Sequence, residues 1–222
     1  MARRQTTTTA GAGGRERSSR QQELVSVAAR LFSERGFHAV AINDISGQLG
    51  LSGPAFYRHF PSKEALLVAV LDECITTHLE DVRDIVTSVS DPADTLLAIV
   101  ANHIDFVFDQ TGNIVTWRTD FSSLPEADRS RLRYLQRLYT EEWVRTLRRL
   151  RPDLDDDTAR AMCHAAIALL QSPTEFTSGL PREAHAALLS RMARGALVTP
   201  PVPRVRDTDA PSPRPHEDRL PV

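Results

Sequence analysis

The chain is short of cysteine, of glycine-rich loops and of long apolar runs, and each shortage removes a class of protein. Its 222 residues hold two cysteines, Cys74 and Cys163. There is no Cys-x-x-Cys and no His/Cys cluster at ligand spacing. Neither a disulfide framework nor a metal centre is expected, and both thiols read as reduced helix residues. No apolar run approaches the roughly 20 residues of a membrane span; residues 165–170 are typical of the short runs present. The start, Met1-Ala2-Arg3-Arg4 and a threonine run, lacks the apolar stretch of a secretory signal. Gly11-Ala12-Gly13-Gly14 follows no strand-like segment, so it is not a phosphate or dinucleotide loop. No motif places paired carboxylates or a Ser/His/Asp set. Enzyme, cofactor, metal and membrane are not expected; a cytoplasmic location is.

A hydrophobic fraction of 41% and a charged fraction of 25% suit one large domain or two small ones. The charge is unevenly spread. Residues 1–64 hold nine basic and five acidic side chains, leaving eighteen against twenty-four in the remainder. A basic front on an acidic body suits a chain whose one end meets phosphate. Helical periodicity dominates and strand-like alternation is absent, so the fold class expected is all-α. Residues 1–18 read as a disordered basic arm, either solvated or reaching the DNA backbone or minor groove. Residues 19–64 read as a three-helix bundle, joined by a long helix capped by Ser62 to a larger helical domain over 65–198. Further helices are expected at about 92–110, 113–121, 126–150, 156–172 and 182–198. Residues 199–222 carry seven of the fourteen prolines and read as a flexible tail.

The informative segment is 45–60. A helix-turn-helix needs a small residue where its helices touch, here Ser46, and a glycine for the turn, here Gly50. Leu51, Phe56 and Phe60 then seat the second helix. That leaves Ser52, Gly53, Ala55, Tyr57, Arg58 and His59 outward, a short, polar and aromatic set that suits the major groove. A plain helical hairpin gives no reason to expose Tyr57 and Arg58 beside Gly53 and Ala55.

Residues 20–67 resemble the DNA-binding domain of the tetracycline-repressor (TetR) family. The resemblance rests on Ala29-Arg30-Leu31-Phe32-Ser33-Glu34-Arg35-Gly36-Phe37, on Asp44-Ile45 and on Gly50-Leu51-Ser52. It is completed by the run from Phe56-Tyr57-Arg58-His59-Phe60 through Pro61-Ser62-Lys63-Glu64. It implies a dimeric, ligand-responsive regulator that binds a palindromic double-stranded DNA operator, more often a repressor than an activator. It implies phosphate contacts from Tyr57 and His59, a phosphate clamp from Lys63 with the Ser62-capped helix start, and base reading or close approach at Ser52, Pro54 and Ala55. Arg58 could reach phosphate or a guanine edge. The family's usual Thr or Ser at position 41 is Ala41 here, so either Asn43 caps the second helix or that contact is missing.

Of eight aromatic residues beyond position 64, seven lie between Phe106 and Trp143. Such a concentration can line a ligand pocket or fill a core. Candidate ligand contacts are His103, Phe106, Trp117, Phe121, Tyr134, Trp143 and His164, with Asn102, Arg118 and Cys163 as further polar groups near them. The eight arginines of 129–151 read as a solvated face, with i,i+4 pairing at Arg137, Glu141 and Arg145. Small residues on the last two helices, among them Ala161, Ala165, Ala187 and Gly195, favour a four-helix dimer interface. Leu124-Pro125-Glu126-Ala127-Asp128 and Glu141-Glu142-Trp143 resemble the subset of the family near acyl-CoA metabolism genes, which implies an acyl-CoA or fatty-acid effector.

Overall fold

The computed structural model describes residues 10–200, with side-chain surroundings from Ser19 onward. Among the described residues every regular element is helical: α1 Ala10–Arg35, α2 Ile42–Gln48, α3 Gly53–Phe56, α4 Lys63–Ser88, α5 Pro92–Asp109, α6 Thr111–Asp120, α7 Glu126–Leu150, α8 Asp156–Leu170 and α9 Arg182–Val198, with single 3-10 turns after α6 and α8. No described helix is long and apolar enough to cross a membrane. Residues 1–9 and 201–222, the outer parts of the expected arm and tail, lie outside the described residues.

The helix boundaries follow local chemistry. Asp91 caps α5 by accepting from the amides of Ala93 and Asp94 at 2.8 and 3.1 Å, with Pro92 in the first turn where its missing N–H is harmless. Asp155 caps α8 through the Thr158 amide, and Ser62 caps α4 through the Ala65 amide at 3.1 Å. α1 starts ahead of Arg20, where the apolar stripe begins, so residues 10–18 are helical rather than an irregular arm. Ala10, Ala12, Arg15, Glu16 and Arg17 are good helix formers, and no proline interrupts them.

α1, α2 and α3 form a small bundle closed by the first turns of α4. Leu24, Ala28, Leu31, Phe32, Ile45, Phe56, Leu66 and Leu67 fill its core, with Phe32 and Phe37 edge to face at 5.2 Å. α4, 26 residues and about 39 Å long, continues out of this bundle. It buries Leu71, Ile75, His78, Leu79 and Val82 against α5 and α7. α7, α8 and α9 pack in sequence, and α5 lies across them. α6 packs on α1. The approach there is so close that a Cβ on Gly112 would stand 1.9 Å from Ser33 Oγ and 2.4 Å from Ser33 Cα. Beside it, His38 Nε2 meets the buried Asp120 carboxylate at 2.8 Å.

Candidate nucleic-acid interface and internal cavity

The turn between α2 and α3 is built as the spacing requires. Ser46 is buried and returns its hydroxyl to the Ile42 carbonyl at 2.9 Å, so a small polar side chain sits at the helix contact at no hydrogen-bonding cost. Gly50 adopts φ +64°, in the left-handed region that a side chain disfavours. The Leu51 amide then bonds back to the Ser46 carbonyl at 2.9 Å. α3 is shorter than the helix expected over 54–60. Only Gly53–Phe56 is α-helical, and the chain runs on through tighter turns such as His59 N to Phe56 O at 2.9 Å. Phe56 is fully buried and Phe60 nearly so. That anchoring leaves Tyr57 56% exposed and Arg58 exposed beside it. Ser52 and Pro54 also face outward, while Gly53, Ala55 and His59 are half-buried.

Two residues take tasks that the sequence did not assign. Lys63 Nζ donates to the carbonyls of Phe37 and Val40 at 2.8 and 2.9 Å and lies 4.3 Å above the Phe37 ring. It thereby pins the α1–α2 connection to the start of α4. Asn43 does not cap α2. The Ala41 amide is satisfied by Asp44 Oδ2 at 2.8 Å, and Asn43 is exposed with its Oδ1 against Gly53.

The second feature is a cavity of about 580 Å³ among α4, α5, α6, α7 and α8, within the size range of small-ligand sites. Leu71, Ile75, Ile114, Trp117 and Ile167 supply its apolar wall. Of the expected ligand contacts, His103, Phe106, Trp117 and His164 line it, and so does Arg118. Three do not. Trp143 is fully buried in the core behind His103, at 5.7 Å edge to face. Tyr134 is 52% exposed, with Arg137 over its ring. Phe121 stacks on the outer side of Trp117 at 5.0 Å and backs the wall without reaching the cavity. Cys163 is buried and does not line the cavity, and Asn102 lines an adjoining cleft that shares Cys74, His78, Phe106 and Asn113 with it.

His78 and Tyr139 are among the polar residues of the cavity that sequence reasoning missed, and both meet the expected His103. His78 and His103 meet at 3.1 Å between Nε2 and Nδ1, and the Tyr139 hydroxyl lies 2.8 Å from the same His103 Nδ1. Phe106 stacks on His78 at 3.7 Å. Burial depresses the His78 pKa to about 2, helped by His103, and burial alone depresses that of His103 to about 3. Both rings are therefore neutral at pH 7. His78 sits on the buried stripe of α4, and its partner lies 25 residues away on another helix, a contact that only the tertiary fold brings about. Arg118, Arg133, Arg137 and Arg160 lie on the cavity's margin, and the expected Arg137–Glu141–Arg145 ladder does not form. Glu141 pairs with Arg160 at 2.5 Å, and Arg145 with the buried Glu142 at 2.7 Å.

A helix-turn-helix with outward polar residues is thus joined by one long helix to a helical domain that holds an apolar cavity. Residues 24–70 match the family described as bacterial regulatory proteins, tetR family. The chain is 31% identical over 111 residues to the transcriptional activator FasR of Mycolicibacterium smegmatis, covering 50% of this chain and 51% of FasR. It is 32% identical over 129 residues to the transcriptional repressor KstR2 of Rhodococcus jostii, covering 56% and 60%. The chain thus spans about half to three-fifths of these two relatives. The structure of AibR in complex with isovaleryl coenzyme A and operator DNA superposes with a TM-score of 0.67 at 17% identity, over 78% of this chain and 97% of that one; that likeness speaks for the fold. Over residues 24–70 the chain is thus similar to the TetR family of transcriptional regulators. The relatives named here are transcriptional regulators, and AibR was solved with an acyl coenzyme A and operator DNA.

Proposed function

We propose that this chain is a dimeric, effector-controlled repressor. Two copies of its α2–α3 unit read the halves of a palindromic operator about one DNA turn, ~34–36 Å, apart, in the cytoplasm where the operator lies. The observation that carries the reading is the exposed Tyr57–Arg58 pair standing beside Ser52 and Pro54 on a turn that Phe56 and Gly50 hold rigid. Tyr57, Arg58 and His59 would contact phosphate, and Ser52, Gly53, Pro54 and Ala55 would approach the base edges, with Pro54 and Ala55 suited to thymine methyls. Asn43 and the Ser62-capped start of α4 flank that surface. Lys63 would act mainly by holding the surface in shape, since two of its three donors are already used.

Dimerisation is assigned to α8 and α9, where Ala161, Ala165, Ala187, Leu188, Met192 and Gly195 are exposed on the single chain. The effector is assigned to the cavity. Its apolar wall and arginine margin fit an organic anion with a hydrocarbon body, such as a fatty acid or an acyl-CoA, and AibR, which shares the fold, was solved with an acyl-CoA. Such a ligand lowers operator affinity only as far as it prefers the non-binding arrangement of the two reading units. FasR is an activator, so activation is the second reading.

The test is binding to palindromes in the flanking intergenic DNA. Affinity is expected to fall steeply with salt, by a log–log slope of about 0.9 per phosphate neutralised. Tyr57→Ala should weaken all sequences alike, and a change at Ala55 should alter sequence preference. A salt-independent affinity would overturn the reading, and a reporter gene gives the sign of regulation.

A further inference from the structure

We infer that the cavity is built for an anion whose hydrocarbon body carries a neutral oxygen function, a hydroxyl first and a carbonyl second, at its buried end. The inference rests on the effector role proposed above and adds the class of ligand.

The two regions of the cavity differ in kind. At the margin, Arg118, Arg133 and Arg160 each have a carboxylate partner, Glu175, Glu126 and Glu141 respectively. Among the described residues Arg137 pairs with no carboxylate, only with the Tyr134 ring. It is exposed and fixed in charge, so an anionic end is held there. The inner wall is neutral. His78 is 2% exposed and His103 1%. Their contact at 3.1 Å is a hydrogen bond only if one of the two facing nitrogens carries the proton. The remaining nitrogens, His78 Nδ1 and His103 Nε2, have no partner among the described residues. A neutral imidazole bears one N–H and one lone pair. If His103 Nδ1 donates, His103 Nε2 is a lone pair and His78 Nδ1 an N–H; if His78 Nε2 donates, the two are exchanged. In either arrangement the His78–His103 pair holds one unused donor and one unused acceptor, and Oδ1 of Asn113, which also lines the cavity, is a further unused acceptor.

Tyr139 adds to the mismatch, because its hydroxyl competes with His78 for the single site at His103 Nδ1. Unpaired polar groups in a dry site favour the ligand that satisfies them. A hydroxyl can answer a donor or an acceptor, a carbonyl only a donor, and a methyl end neither. A carboxylate, which only accepts, is better placed at Arg137.

The test uses the full chain, with heat of binding and Trp117 fluorescence as readouts. Decanoate is compared with 10-hydroxydecanoate and with methyl 10-hydroxydecanoate, and the set is repeated at eight and twelve carbons. The hydroxy acid is expected to bind at least about tenfold more tightly than the plain acid, and the ester at least about tenfold more weakly than the hydroxy acid. His103→Leu should erase the hydroxyl preference, so that decanoate and 10-hydroxydecanoate bind alike; should that variant not fold, the wild-type series decides alone. Equal binding of plain and hydroxy acids, with both releasing operator DNA, overturns this inference and leaves the effector role standing. Equal binding of acid and ester overturns the assignment of the anion to Arg137. No binding by any compound overturns the inference, and binding that leaves the operator complex intact overturns the effector role instead.

Discussion

The bundle of α1, α2 and α3 and the domain behind it are both helical, yet their interiors differ. Among the described residues before position 65 one polar side chain is buried, Ser46, and its own helix satisfies it. Among those beyond it nine are buried, and four of the nine, His78, His103, Asn113 and Thr140, line the cavity of about 580 Å³. The first interior is filled with interlocking aromatic and aliphatic groups, which hold one shape. The second is hollow and polar, which costs stability and leaves room for a guest. A surface that must match a groove requires the former; a chamber that must recognise a small molecule requires the latter.

Removing a keystone from the filled interior should have the largest effect. Phe56→Ala is expected to cost about 3–5 kcal/mol and to abolish operator binding, checked by thermal unfolding and DNA anisotropy. Acid comes next. Above pH 6.5 His78 and His103 are neutral in both the folded and the unfolded chain and add no pH dependence. Below it the unfolded chain binds protons that the folded chain refuses until about pH 3 for His103 and about 2 for His78. Stability therefore falls with falling pH, by up to about 1.4 kcal/mol per unit for each ring. Urea unfolding between pH 7 and 5 should show a shallower decline in His103→Leu than in wild type.

A pair of enlargements separates the two interiors more finely. Ile45→Phe, in the filled bundle, should cost about 1–3 kcal/mol, whereas Ile75→Phe, on the cavity wall, should cost under about 1 kcal/mol and block ligand. Equal losses in melting temperature would contradict the contrast. Lys63→Met is expected to cost about 1–2 kcal/mol through its two carbonyl contacts. It should leave the salt slope of DNA binding almost unchanged, because Lys63 then owes its importance to shape rather than to phosphate.

Much of the reading bundle was legible because its requirements are local. Gly50 must turn, Ser46 must be small, Phe56 must point inward, and all three lie within eleven residues. Helix limits were legible for the same reason: Pro92, Pro125 and Pro181 stand at the starts of α5, α7 and α9. The cavity was less so, since its lining comes from five helices whose rotations depend on one another. Part of the error was nevertheless avoidable. Residues 134 and 143 are nine apart, which at about 100° per residue sets them on opposite faces of α7; Tyr134 and Trp143 could not both have faced one ligand. Tyr139 and Trp143, four apart, share a face, and the ring that meets His103 is Tyr139. Six of the eight arginines of 129–151 do lie on a solvated face, as their sequence suggests. Their partners were not legible, because carboxylates on other helices compete with those of the next turn, as Arg131 with Asp72 at 2.6 Å illustrates.

α6 is a party wall. One side, through Asn113, Ile114, Trp117 and Arg118, borders the chamber; the other, through Gly112 and Asp120, is seated against Ser33 and His38 of the reading bundle. Remodelling the chamber for a new guest on that helix cannot be done in isolation, because each change there also moves the seat of the DNA reader. The tolerant positions for altering ligand choice are accordingly on α7 and α8, at Gln136, Thr140 and Ala168, where the chamber has a neighbour that touches no part of the reader.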